Sequence, residues 1–118
     1  MNSSKTNSSK MNVSNLSEMQ TRVADFVARH GLETSVSFRA LDLVSEVGEV
    51  AKEILKSTDY GQSELQNTPA LQEELADAAF SLICIANSLD MNLDEAVGGA
   101  LEKYESRLNT RGDAGSGQ

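Results

Sequence analysis

The stretch Leu71-Gln72-Glu73-Glu74-Leu75-Ala76-Asp77-Ala78-Ala79-Phe80-Ser81-Leu82-Ile83-Cys84-Ile85-Ala86 decides the fold. It holds no Gly or Pro and is rich in Ala and Leu, the residues that lose least on entering a helix. From Leu75 to Ala86 its only ionisable groups are Asp77 and Cys84. A helix this apolar around its whole circumference sits inside a protein or at a subunit interface. Glu74 and Asp77 lie about 60° apart on its wheel. Carboxylates in such surroundings are costly to desolvate unless they are paired or bound to a cation.

Three further helices flank this one. Pro69 suits a first helical position behind a Thr68 cap, and the segment extends to about Leu89. Upstream, a helix is expected over Phe38 to Ser57, with Ser35 or Ser37 as its cap. The first helix is expected over Leu16 to His30. Ser17 is its candidate cap, Gln20 stands at the capping-box position, and Gly31 follows its end. Leu16, Met19, Val23, Phe26 and Val27 give it one apolar face. The fourth begins after Asn92 and ends near Leu108. Connections are short except for Thr58 to Thr68, which predicts an all-α, four-helix bundle-like protomer over residues 15–108. Residues 1–14 and 109–118 are Ser-, Asn- and Gly-rich and read as disordered tails.

Composition agrees and excludes several functions. Hydrophobic residues make up 39% but aromatics only 4%, with no Trp, so the core is built from Leu, Val, Ile and Ala. The formal net charge of -8 disfavours nucleic acid and anionic membranes as partners, because both demand a basic surface. An anionic ligand would need a divalent cation between it and the protein. The same charge is equally consistent with simple solubility. Cys84 is the sole cysteine and falls in an apolar run, which makes it a small buried side chain rather than a nucleophile. With no signal peptide and no membrane-length apolar run, the cytoplasm is the expected compartment.

Helix two carries Ser45-Glu46-Val47-Gly48-Glu49-Val50-Ala51-Lys52-Glu53. Glu46, Glu49 and Glu53 fall within about 60° of one another, with Leu41, Val44, Gly48, Ala51 and Leu55 on the other side. Alone, this is an amphipathic helix with a solvated acidic stripe. Together with Glu74 and Asp77 it gives Glu-x-x-Glu on one helix and Glu-x-x-Asp on the next. Each i, i+3 pair places two carboxylates on one face. Lys and Arg total 10 against 18 Asp and Glu, so cationic partners are scarce. Four hard oxygen donors suit Mg²⁺, with Mn²⁺ as substitute, better than zinc. His30, the only histidine, stands at a helix end and reads as a cap interaction.

Glu46-Val47-Gly48-Glu49, Glu74-Leu75-Ala76-Asp77 and the closing Lys103-Tyr104-Glu105-Ser106-Arg107 together resemble the MazG-like all-α NTP pyrophosphohydrolase superfamily. The superfamily includes dimeric dUTPases, dCTP pyrophosphatases and phosphoribosyl-ATP pyrophosphatases. The similarity extends from about Leu41 to Arg107. It implies hydrolysis of an NTP or dNTP to the monophosphate and pyrophosphate, in a nucleotide-pool house-cleaning role. By this resemblance Glu46, Glu49, Glu74 and Asp77 are metal ligands, and Glu46 or Glu49 activates the water. Lys103 and Arg107 contact phosphate. From their places on the helices, Asn87 is a candidate to read a base or to cap a neighbouring chain, and Glu53 either supports the site or pairs with nearby lysines. An ordinary surface pairing of Lys103 and Arg107 with Glu102 or Glu105 is the competing account. The Asn that many relatives carry shortly before the Lys is absent here, where Gly98-Gly99-Ala100-Leu101 stands instead. Phe26 and His30 are further candidates for the pocket.

So short a chain with so apolar a third helix is expected to form a homodimer or homotetramer with sites near the interface. Two other functions compete: a phosphoribosyl-ATP pyrophosphatase, and a non-catalytic helical interaction module.

Overall fold

Each helix begins at a side-chain oxygen that accepts a hydrogen bond from a first-turn N–H. In the computed structural model, which describes residues 15–112, α1 spans Leu16–Arg29, α2 Val36–Ser57, α3 Pro69–Ser88 and α4 Leu93–Arg111. Ser35 Oγ accepts from Phe38 N at 3.1 Å, Thr68 Oγ1 from Leu71 N at 3.1 Å, and Asn92 Oδ1 from Glu95 N at 3.1 Å. Such caps satisfy donors that the helix itself leaves orphaned. The architecture is all-α, and no strand occurs among the described residues.

The start of α1 corrects the sequence reading. Asn15, not Ser17, caps it, with Oδ1 accepting from Glu18 N at 2.8 Å. Gln20 forms no capping box. Its buried amide instead donates to the Met91 carbonyl at 2.7 Å and accepts from Leu93 N at 2.8 Å. A cap must precede the first helical residue, and Asn15 holds that place, so Gln20 is left to satisfy the backbone ahead of α4.

Helix ends follow from left-handed residues. Gly31, at φ +63°, donates to Ala28 O, while Leu32 N reaches Val27 O at 3.0 Å, which is a Schellman stop. After α2, Asp59 and Tyr60 both adopt positive φ, and Tyr60 N reaches Leu55 O at 2.7 Å. Helix α4 runs past the expected Leu108 to Arg111, because Gly112 at φ +82° supplies the stop. Residues 1–14 and 113–118, read as tails, lie outside the described residues.

The chain divides into two units, one of residues 1–21 with 91–118, the other of residues 22–90. In the first, Gln20 ties the start of α1 to the turn before α4, and Ser17 Oγ donates to Asn92 Oδ1 at 3.3 Å. In the second, α2 packs extensively along α3. Its core is Val23, Leu71, Ile83, Cys84 and Ala86, so α3 supplies most of it. Burying a side chain such as Ile83 contributes about 1.5–3 kcal/mol. Phe26 of α1 meets Phe80 of α3 edge-on, with centroids 6.4 Å apart.

The expectation of an enclosed third helix holds for one side only. Leu75 and Leu82, two turns apart on α3, and Leu89, just past its end, are each about half exposed. The apolar side of α2 is more open still: Leu41 is 64% exposed and Val44 70%. No helix among the described residues is long and apolar enough to cross a membrane.

Candidate metal centre

The i, i+3 spacing within α3 and the packing of α2 on α3 bring acids from both helices to one place. Carboxylate oxygens of Glu46, Glu74 and Asp77 lie within 4.8 Å of one another. Glu46 and Glu74 are half-buried and Asp77 is exposed. None of the three forms an ion pair among the described residues. Like charges at this spacing repel, and partial burial removes water that would screen them.

Glu74 registers this crowding. Its carboxyl is held above the usual carboxylate range, first by desolvation, then by the charges of Glu49, Asp77, Glu46 and Glu53 in that order. Glu49 is exposed and stands outside the tight trio, yet it is the largest single charge acting on Glu74. Glu53 acts more weakly and accepts a long hydrogen bond from Ser57 Oγ at 3.5 Å. The four expected ligands thus divide into three convergent carboxylates and one at the margin.

The donor set suits a hard divalent cation. Ligands on opposite sides of an octahedral Mg²⁺ stand about 4.2 Å apart. Three all-oxygen donors within 4.8 Å of one another therefore need only small side-chain adjustments to share an ion. No histidine or cysteine joins them, which disfavours zinc.

The remaining expected residues stand elsewhere along the chain. Lys103 and Arg107 lie on α4, in the other unit, where the Lys103 ammonium sits 5.5 Å from the Tyr104 ring centroid. His30, just past the end of α1, meets the Phe26 ring at a tilt of 52°, with centroids 4.6 Å apart. Asn87 is half-buried and lines a partly open cavity of about 180 Å³ with Ala24, Val27, Glu33, Thr34, Arg39, Cys84 and Ser88. Phe26 and His30 do not line this cavity; Ala24 and Val27 represent α1 there instead.

Sequence reasoning missed Arg39. The residue is only 9% exposed, and its guanidinium donates to the Leu32 carbonyl at 2.6 Å and stands 5.8 Å from the Phe80 ring centroid. The available signal was a lone cation in the apolar stretch Phe38-Arg39-Ala40-Leu41, seven residues before Glu46. Cys84 is buried, as expected, and burial pushes its thiol pKa up despite the opposing charge of Arg39.

Comparison with known proteins identifies the family. Residues 36–112 match the family model of the MazG nucleotide pyrophosphohydrolase domain. The chain is 36% identical over 72 residues to YpjD of Bacillus subtilis, an uncharacterized protein; the match covers 58% of this chain and 63% of that one. Among solved structures it resembles a Bacillus-conserved MazG protein, a nucleotide pyrophosphohydrolase, with a TM-score of 0.68 and 28% identity, over 80% of this chain and 93% of that one. The crystal structure of B. subtilis YpjD gives the same score and identity over 98% of its own chain. Half or more of the sequence falls within one family model, and that domain is a hydrolase's: the chain belongs to the MazG nucleotide pyrophosphohydrolase family.

Proposed function

We propose that the protein is a Mg²⁺-dependent nucleoside triphosphate pyrophosphohydrolase acting in the cytoplasm. The observation that carries this reading is the convergence of Glu46, Glu74 and Asp77, which have no basic partner among the described residues. A solvated stripe on an interaction module gives no reason for acids from two helices to face each other.

In this reading Glu46, Glu74 and Asp77 hold the metal, with Glu49 completing the set. Mg²⁺ bound there supplies positive charge to the polyphosphate and acidifies water, and Mn²⁺ could substitute for it. Glu49 is assigned the orientation and deprotonation of the attacking water, a role that its exposure and its charge acting on Glu74 support; Glu46 is the alternative base. Water adds to phosphorus, the bond between the α- and β-phosphates breaks, and pyrophosphate leaves with its electron pair. Lys103 and Arg107 are assigned to the phosphates, Asn87 to the base, and Glu53 to support of Glu74.

The exposed apolar rows on α2 and α3 support a homodimer or homotetramer as the working form. Light scattering of the full chain tests that assembly, and a monomer at working concentration removes it. The reaction is tested with a panel of NTPs, dNTPs and phosphoribosyl-ATP, with and without Mg²⁺. Release of monophosphate plus pyrophosphate only with metal is expected. Metal-independent release, or none from any compound, refutes the reading; selective use of phosphoribosyl-ATP moves the enzyme to that pathway.

A further inference from the structure

Arg39 and Glu46 are seven residues apart on α2, and Cys84 and Asp77 are seven apart on α3. Seven residues return a helix to within about 20° of the same direction, about 10 Å further along its axis. The cavity lined by Arg39 and Cys84 therefore lies on the same face of the α2–α3 pair as the acidic trio, two turns away. Phe80, one turn from each of Asp77 and Cys84, stands between the two places and under the guanidinium.

The cavity has the chemistry of a recognition pocket. Arg39 is nine-tenths buried, and no carboxylate pairs with it among the described residues. Among the described residues its hydrogen-bond partner is a single backbone carbonyl, which leaves most of its five donors for another group. A buried guanidinium without a counter-ion is expensive, and its persistence beside a cavity points to a ligand that accepts hydrogen bonds. Glu33 lines the same cavity and can only accept when ionised. It would repel a phosphate but bind N–H groups. Ala24, Val27 and Cys84 supply apolar wall. The volume of about 180 Å³ admits a flat heterocycle, since an apolar cavity of roughly 150 Å³ suffices for benzene.

We infer that this cavity receives the nucleobase, with Arg39 donating to a ring carbonyl and Glu33 accepting from an exocyclic amine. The inference rests on the pyrophosphohydrolase reading for the placement of the triphosphate at the trio. A base carrying both a carbonyl and an exocyclic amine is guanine or cytosine; adenine lacks the carbonyl, and uracil and thymine lack the amine. Arg39 and Glu33 are specificity-determining residues, and Asn87 and Ser88 complete the polar rim.

The test uses the full chain with Mg²⁺ and GTP, CTP, ATP, UTP and their deoxy forms. In parallel, thermal shifts with GMP, CMP, AMP and UMP are read without any need for turnover. Guanine or cytosine nucleotides are expected to exceed the others about ten- to hundred-fold in kcat/KM, and the matching monophosphate to give the largest shift. Glu33→Gln, at an exposed position, and Arg39→Lys are both expected to collapse that ratio. Inhibition by inorganic tripolyphosphate should stay unchanged in both variants.

Equal use of all bases by the native chain overturns the inference. So does a variant that weakens all nucleotides and tripolyphosphate alike, which would put Arg39 on phosphate. If no nucleotide is hydrolysed, the reaction falls. The cavity assignment then stands or falls on base discrimination among the monophosphates.

Discussion

The two ends of the α2–α3 face carry opposite electrostatic deficits. Among the described residues, Glu46, Glu74 and Asp77 crowd together at one end with no basic side chain paired to them, and two turns away Arg39 is buried with no carboxylate paired to it. The costs are met differently. The carboxylates stay half-buried or exposed, so water screens them in part, and Glu74 responds by holding its proton more tightly. Arg39 cannot lose its proton, so the fold gives it a carbonyl, an aromatic face and a cavity instead. Each end holds charge that the described residues do not offset, a pattern expected where a ligand supplies the missing charge or acceptor.

The largest effect that could break this comparison is on catalysis. Glu46→Gln and Asp77→Asn each remove one oxygen charge from the trio while preserving shape. Groups one layer outside a metal site typically contribute about 10- to 100-fold, so loss of a ligand should lower kcat/KM by more than about 100-fold. Circular dichroism should show unchanged helix content. Near-native turnover in either variant would place the metal elsewhere.

A second effect is linkage. If the trio binds Mg²⁺ only when folded, metal at about 100 times its dissociation constant adds about 2.7 kcal/mol. For a domain of this size that raises Tm by on the order of 10 °C. A melting series with Mg²⁺ tests this, and Asp77→Asn should flatten it. A Tm indifferent to Mg²⁺ in the native chain would leave the acids as a solvated cluster.

The guanidinium end makes the opposite trade. Arg39→Met keeps most of the volume and the Phe80 contact but removes a buried, unpaired charge. The Leu32 carbonyl it abandons belongs to a residue 45% exposed, so water can replace the donor. The variant should therefore melt higher, with a gain of about 1 kcal/mol, while losing base discrimination. A lower Tm would make Arg39 a structural clamp between Leu32 and Phe80, and the symmetry between the two ends would fail.

How much of this was legible follows from which physics each feature uses. The helices and three of their caps rest on local chemistry: Ser35, Thr68 and Asn92 precede apolar periodic runs and could be read from spacing alone. The Asn15 cap was missed because Ser17 offered an equally good local pattern. Gln20 was misread because its partners, Met91 and Leu93, are more than seventy residues away. At the site, the i, i+3 pairs announced Glu46, Glu49, Glu74 and Asp77, but not that Glu49 would sit outside the tightest group. Arg39 and Glu33 carry no periodic signal. Their significance arises only when a loop, α1 and α3 close a cavity around them.

The smallest effect is the most direct test of the acidic end. Glu74 has a pKa above its ordinary value in the folded chain, so across the interval between the two values the folded state binds more protons than the unfolded one. Stability therefore declines as pH rises through that interval, the reverse of the usual salt-bridged carboxylate. Its contribution is fully present below the ordinary carboxylate value and lost above the raised one. Melting the metal-free chain in steps from pH 4 upward should reveal this fall as a Tm gradient. Glu74→Gln should remove the gradient and raise Tm at neutral pH, because an uncharged amide escapes the repulsion of Glu49, Asp77 and Glu46. Saturating Mg²⁺ should reverse its sign, since the ion requires the ionised form. A metal-free gradient of the usual sign that survives in Glu74→Gln would mean that the carboxylates do not feel one another, and the site would lose its electrostatic basis.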